Sequence, residues 1–573
     1  MDGSRITTFV DEYDAALNAL DAAKDTWAQT DNAERIALLN QVKDNLKSVA
    51  KGWAETAARK KQIPEGSPLI GEEWTSGPYA LMSGCNGFIQ TLSGMEGKAY
   101  LEHLPKRLLP TGQTAVKVLP HSIWDHLLLS GVKAEVWMQK GVNAANLAKN
   151  AATIYDEPAS QRQGKVALVL GAGNIASIAP LDVLQKLLIE NQVVILKMNP
   201  VNDYLTDYLQ TALKPFIDRD FVRIVKGDGA AGAYLTEHPI IEELHITGAA
   251  STHDAIVWGT GAEGEENRKA GTPKNNRRLT SELGAVCPTI VVPGPWSNAD
   301  LKFQAEHIAT QKLHNSGFNC VACQVLIMPK GWNKGETLMD NLRKVIAKST
   351  RLAYYPGAAD RLETFKGKAA NVETVARGKA PAAIINSVDE ADWFRENEVF
   401  APAMSTLEMD APDAESYLKA AIAYANDQLH GTLGANVLIH PKTIRKIGKN
   451  RFDEIIADLR YGAIAINAWT GLAFLATACP WGAFPGHTPE DVQSGIGTVH
   501  NTFMLENTER CVVQAPWSPF PRNLLSGSFT LLPRPPWFIT NRKQDKVGEL
   551  LTDFQYKPSW FKLPRIFLNA LLG

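Results

Sequence analysis

KVALVLGAGNIAS, residues 165–177, is an unbroken apolar run that ends in a glycine turn and leads into a helical pattern. A short apolar run bounded by glycines predicts a strand buried on both faces. The same rhythm returns downstream: QVVILK (192–197), VRIVKG (222–227) and EELHITG (242–248) are separated by helix-length stretches such as DYLTDYLQTALKPFI (203–217). Strands alternating with helices predict a parallel sheet covered on both sides. A second α/β run starts at SELGAVCPTIVV (281–292), passes through DLKFQAEHIATQKL (300–313) and reaches about residue 480. The fold class is therefore α/β, with two doubly wound parallel-sheet domains.

The flanks differ from this pattern. The first hundred residues predict helices, as in Ile36, Leu39, Val42, Leu46, Val49 and Trp53, spaced three or four apart after a Thr30/Asp31 cap signal. Residues 259–280 are polar and glycine-rich and predict a loop. Residues 501–573 hold eight prolines and eleven aromatics, which marks them as an appendage to the two domains. Its last 17 residues mix Lys557, Lys562 and Arg565 with Trp560, Phe561, Ile566 and several leucines. Such a mixture suits either a subunit interface or a bilayer surface; Pro558 and Pro564, which shorten any helix, favour the interface.

Composition narrows the function. The chain of 573 residues has 59 Lys plus Arg against 61 Asp plus Glu, so no global field favours nucleic acid or anionic lipid. Six cysteines at 85, 287, 320, 323, 479 and 511 show neither zinc-ligand spacing nor disulfide density, so no metal is expected and a reducing compartment, the cytoplasm, is. The acidic start MDGSRITTFVDEYDAAL lacks a signal-peptide core. Tyr461–Gly486 runs without a charge and is long enough to span a bilayer, yet Asn467, Pro480 and Gly482 predict buried strand and loop instead.

GAGNIA (171–176) fits the dinucleotide fingerprint in its strand-to-helix setting. The fingerprint also needs an acid at the end of the next strand, and that strand ends in Lys197. A turn amide and a strand-tip lysine belong to another arrangement.

With these features the chain resembles the aldehyde dehydrogenase superfamily over roughly residues 15–500. The turn asparagine falls on Asn174 in GAGNIAS, the strand-end lysine on Lys197 in ILKMNP, and a glycine turn on VKGDGAAG, with Gly229 in it. Thr247, Gly248 and Ala249 match the next turn, and Glu282, Leu283 and Gly284 the glutamate motif. Gly317 to Cys320 match the nucleophile motif, and Glu398, Phe400 and Pro402 a further one in NEVFAPAM. AND before LHGTLGANVLIHP, and WGAFPG before SGIG, complete the order.

The resemblance implies Cys320 as nucleophile, Asn174 as oxyanion donor and Glu282 as base, with an aldehyde substrate and NAD or NADP as cofactor. A thiolate makes the aldehyde carbon tetrahedral, fixed donors hold the alkoxide, and a carboxylate activates the water that cleaves the thioester. Lys197, Asn199, Gly229, Gly248, Ala249, Leu283, Glu398 and Phe400 would bind the cofactor. It also implies a homodimer or homotetramer joined by an oligomerisation element near 140–165 or 490–515. The domains would be 1–281, 282–482 and 483–573: helices with the cofactor-binding sheet, the cysteine domain, and the return to the oligomerisation region with the tail. Two alternatives are a CoA-acylating dehydrogenase or acyl-CoA reductase, and a catalytically silent nucleotide-binding interaction protein.

The chain departs from the family at three points. Asn199 and Pro200 stand where a carboxylate often selects NAD, so both cofactors are expected. Arg268, Lys269, Lys274, Arg277 and Arg278 could meet a 2′-phosphate, although a solvated loop explains them better. Phe318 and Trp481 replace the common residues and suggest an apolar mouth for a long-chain or aromatic aldehyde. Cys323, His245 and His314 are expected to be packing residues.

Overall fold

Val166–Leu170 lies inside a six-stranded sheet with the order Gly495–Ile496, Arg278–Leu283, Glu243–Gly248, Val166–Leu170, Val193–Lys197 and Val222–Val225. Five of its strands are parallel, and only the two-residue edge is antiparallel. From Val166–Leu170 the chain winds outward through two strands, then crosses to the other side of its starting strand. That reversal leaves a crevice at the carboxyl ends, where open α/β sheets take their ligands. Every residue of Val193–Lys197 is buried, which is why its sequence is continuously apolar. The computed structural model describes residues 3–527 and 530–573, with side chains from Phe9 onward.

The second sheet has eleven strands. Its parallel body runs Thr508–Gln514, Ala463–Ile466, Gly434–Leu438, Pro288–Val291, Val325–Pro329, Ala403–Met409 and Ala380–Ser387. Glu373–Arg377 closes one edge antiparallel. At the other, Lys133–Met138, Thr114–Leu119 and Lys106–Leu108 continue antiparallel from Thr508–Gln514. These three strands precede 140–165, where only short 3-10 turns form. Their half-polar alternation, as in TAVKVL (114–119), is a weaker signal than a buried parallel strand.

Two further stretches differ from expectation. Residues 259–280 contain a helix, Gly261–Ala270, closed by Gly271 at φ 64°. Its alternating Glu, Arg and Lys are good helix formers, and their polarity reflects exposure rather than loop. The strand Arg278–Leu283 belongs to the first sheet, so Glu282 stands at the end of that sheet and the chain passes to the second only before Pro288.

The charge-free stretch forms the buried strand Ala463–Ile466, the helix Thr470–Leu475 and the strand Pro480–Gly482. Among the described residues no helix is long and apolar enough to cross a membrane. Asp31 caps the helix Asn32–Lys60 through the Glu34 N–H at 2.8 Å, and Leu39, Val42, Leu46 and Trp53 are buried, each stabilising by about 1.5–3 kcal/mol. The tail folds back onto its own chain. Its helix Gln544–Tyr556 crosses Ile70–Trp74, an approach so close that a Cβ on Gly548 would lie 2.8 Å from the Trp74 Cβ.

Candidate active site

All eleven residues singled out from the sequence line one cleft of about 990 Å³ at the carboxyl ends of the first sheet's strands. Lys197 ends one strand, Gly248 the next and Leu283 the third. Cys320, Glu398 and Phe400 reach the cleft from the second domain. Asn174 sits in the turn before the helix Ile178–Leu184, and Ala249 precedes the helix Ala250–Trp258 with no side-chain cap. That helix's first backbone N–H groups are the fixed donors a phosphate needs.

The Cys320 thiol donates to Glu282 Oε1 at 3.0 Å. Burial pushes the Glu282 carboxyl up to about 7, while the thiol's own hydrogen bond and the Trp481 indole oppose the rise. Burial, with Glu282 beside it, also holds the Cys320 thiol well above its usual value. The resting pair is therefore a neutral thiol facing a carboxyl poised to take its proton.

Cys320 follows a turn in an unusual conformation. After the helix Asn298–Leu313, Asn315, Ser316 and Gly317 all adopt left-handed backbones, with φ of 52°, 57° and 87°. Gly317 is required there, since a Cβ would lie 2.8 Å from the Ala401 carbonyl. Left-handed non-glycine residues persist only when their surroundings over-determine them, and Asn315 shows how. Its N–H donates to Glu72 Oε2 at 3.0 Å, and its side-chain oxygen accepts from Arg351 at 3.1 Å and Tyr354 at 2.9 Å. Its amide donates to the carbonyls of Phe318 at 3.0 Å and Asn174 at 3.3 Å. Arg351 is paired in turn with Glu72 and Glu73, and Lys61 with Glu73 at 2.8 Å, all four side chains about 1% exposed.

This four-charge network was not visible in the sequence. Its members come from residues 61, 72, 73 and 351, and no local pattern links them. Tyr355 and Arg361, also missed, line the cleft beside Phe400; the Arg361 Nε donates to the Phe400 carbonyl at 3.1 Å.

The Asn174 side chain donates one amide proton to the Phe318 carbonyl at 3.1 Å, leaving its second for the cleft. Among the described residues no acceptor takes the Cys320 backbone N–H. Glu398 Oε1 is buried without a partner, and burial lifts its carboxyl to about 8 against the pull of Lys312 and Arg361. A Cβ on Gly284 would lie 2.0 Å from the other Glu398 oxygen, so glycine there makes room for the carboxyl.

Two expectations need correction. Phe318 and Trp481 are fully buried and do not line the cleft. Phe318 instead packs between Tyr354, Tyr355 and Phe400, with ring centroids 5.2, 5.3 and 5.7 Å away, so the apolar mouth loses its basis. Of the basic residues near the loop, only Lys274 and Arg277 line the cleft; Arg268 pairs with Asp254, and Arg278 with Glu190 and Glu243. His245 lies 3.4 Å from Asp182, His314 packs on Trp469 at 4.7 Å, and Cys323 is buried.

The model of the aldehyde dehydrogenase family matches residues 174–352. Over this segment, about a third of its length, the chain is similar to the aldehyde dehydrogenase family. Solved structures of aldehyde dehydrogenases share its fold across most of its length. An NAD-dependent aldehyde dehydrogenase from Sinorhizobium meliloti is 17% identical, with 88% of this chain and 86% of that one covered and a TM-score of 0.54. A gamma-glutamyl-gamma-aminobutyraldehyde dehydrogenase from Burkholderia cenocepacia is 16% identical, with 87% of each chain covered and a TM-score of 0.57. An NADP-dependent enzyme from E. coli is 17% identical, covering 88% and 89%, also with a TM-score of 0.57. In this aldehyde dehydrogenase fold the matched segment begins at Asn174 and contains both Glu282 and Cys320.

Proposed function

We propose that the protein oxidises an aldehyde to a carboxylic acid, with Cys320 as nucleophile and NAD or NADP as the oxidant. The observation that carries this is the 3.0 Å hydrogen bond from the Cys320 thiol to Glu282 inside a cleft of dinucleotide size. Glu282 takes the thiol proton, and the thiolate attacks the carbonyl carbon. The resulting alkoxide is held by the free amide proton of Asn174 and by the Cys320 backbone N–H; losing one such donor costs about 3–4 kcal/mol. A bound nicotinamide would supply the hydride acceptor that this adduct needs, and the loss of hydride leaves a thioester on Cys320. Glu282, whose pKa of about 7 lets it release the thiol proton to solvent between the two steps, then deprotonates the water that cleaves the thioester.

The cleft fits the cofactor. The partnerless Glu398 Oε1 suits a ribose hydroxyl, Lys197 at its strand tip suits the other ribose, and the uncapped helix at Ala250 suits the pyrophosphate. Gly229 leaves open space where a side chain would intrude, and Asn199, Gly248, Ala249, Leu283 and Phe400 complete the wall.

Turnover of an aldehyde panel with each cofactor, with and without CoA, on the wild type and Cys320→Ala tests this reading. Acid product without CoA, lost in Cys320→Ala, is expected. Product formed only as a CoA thioester would replace the hydrolytic reading with acyl transfer, and no turnover with any aldehyde would leave a nucleotide-binding protein.

A further inference from the structure

Ten of the twelve exposed large hydrophobic side chains among the described residues fall in three segments: the helix Ile123–Leu128, residues 520–531 and residues 560–572. Exposed apolar residues scattered singly need no explanation, but a concentration of them does. The three segments adjoin. Trp124 meets Trp560 at 4.7 Å between ring centroids, the Leu531 N–H donates to Ser130 Oγ at 2.8 Å, and Arg534 reaches the Gly573 carbonyl at 3.4 Å.

The C-terminal helix Leu563–Leu571 shows why the fold leaves this surface bare. Leu563 and Ile566 are buried against the chain, so its packing requirement is met on one side. Leu568 and Leu571, 59% and 58% exposed, form a second apolar stripe on the other side. In the same segments Phe561 is 95% and Leu525 88% exposed; side chains that protrude so far do not line a groove for a peptide. The helix Ile123–Leu128 (IWDHLL) buries none of its residues.

Charge identifies the occupant. From Phe554 to Gly573 the chain has no carboxylate side chain but carries Lys557, Lys562 and Arg565. Lys562 is paired with Asp553 at 2.8 Å, while Lys557 and Arg565 are exposed. A second copy on a two-fold axis would place this cationic patch against itself. We propose that this face docks on an anionic lipid surface, with the apolar side chains entering the acyl boundary and Lys557 and Arg565 meeting the headgroups. The inference is independent of the aldehyde chemistry, since none of these residues lines the cleft.

Flotation of the full chain with phosphatidylcholine–phosphatidylglycerol vesicles, against phosphatidylcholine alone, tests the proposal. The wild type should float with the anionic vesicles. The triple change Phe561→Ser, Leu568→Ser, Leu571→Ser should cut the bound fraction at least about tenfold. Lys557→Ser with Arg565→Ser should remove the preference for anionic lipid; being a surface change alone, this pair decides the matter if the triple variant does not fold. A wild type that stays unbound, or binding unchanged by either variant, overturns the proposal. So does sedimentation showing that the triple change converts an oligomer to a monomer, which would make this face a contact between copies.

Discussion

The Lys61 ammonium, at the end of an N-terminal helix, donates to the Asn174 carbonyl oxygen at 2.8 Å. A charge from outside both sheets thus grips the backbone of the proposed oxyanion donor. Lys61 pairs in the same buried place with Glu73, so Lys61→Met leaves an excess buried carboxylate. The expected loss is about 3–5 kcal/mol in urea unfolding. Adding Glu73→Gln should recover part of that stability without restoring the grip on Asn174, so kcat should stay low in the double variant. Full recovery of kcat would show that Lys61 acts on stability alone.

Glu282 predicts a pH profile. Its carboxyl is raised to about 7, and only the deprotonated form accepts a proton. Turnover should therefore climb as pH rises through about 7 and level off above it. Glu282→Gln should lose roughly 10²- to 10⁴-fold in kcat and the inflection with it. A profile flat across this range in the wild type would remove Glu282 from the role of base.

How much of this was legible in the sequence depends on whether a residue's role is written in its neighbours. Asn174 and Cys320 sit in short turns and Glu282 at a strand end, each beside an apolar strand or helix, and those strands announce themselves by continuous burial. Lys61, Glu72, Glu73, Asn315 and Arg351 meet only after folding, and a charged pair in an N-terminal helix reads as solvated surface until its partner 278 residues away arrives. The hairpin strands at 106–138 escaped for a related reason, since their mixed polarity weakens the strand signal. Phe318 and Trp481 read as mouth residues but turn into the core, because sequence does not show which way a side chain turns.

Glu398 predicts a stability trend. Its folded value of about 8 lies above the usual 4.5, so its protonated form favours the fold. That contribution is complete below about 4.5 and fades as pH rises through about 8. The melting temperature of the cofactor-free protein should fall across this window, with a shallower fall in Glu398→Gln. Equal slopes would show that Glu398 does not titrate as its burial implies.

Gly284→Ala separates placement from chemistry. The added Cβ would strike Glu398, 2.0 Å away, and displace it. The dinucleotide KM should rise while the alkylation rate of Cys320 holds steady. An unchanged KM would argue against Glu398 as a ribose ligand.

The absence of a carboxylate at 199–200 and the presence of Lys274 and Arg277 in the cleft wall predict that NAD and NADP both support turnover, within about two orders of magnitude of each other. Arg277→Ala should lower kcat/KM for NADP more than for NAD. Strict NAD dependence would contradict this.

The most direct test of the central claim is intact-protein mass spectrometry of the wild type, acid-quenched within the first turnover after mixing with an aldehyde and NAD or NADP. The acyl group should be found on Cys320, with one reduced cofactor formed per adduct and neither seen in Cys320→Ala. Cofactor reduction without an adduct on Cys320, or equal reduction in the protein lacking that thiol, would contradict a thioester mechanism.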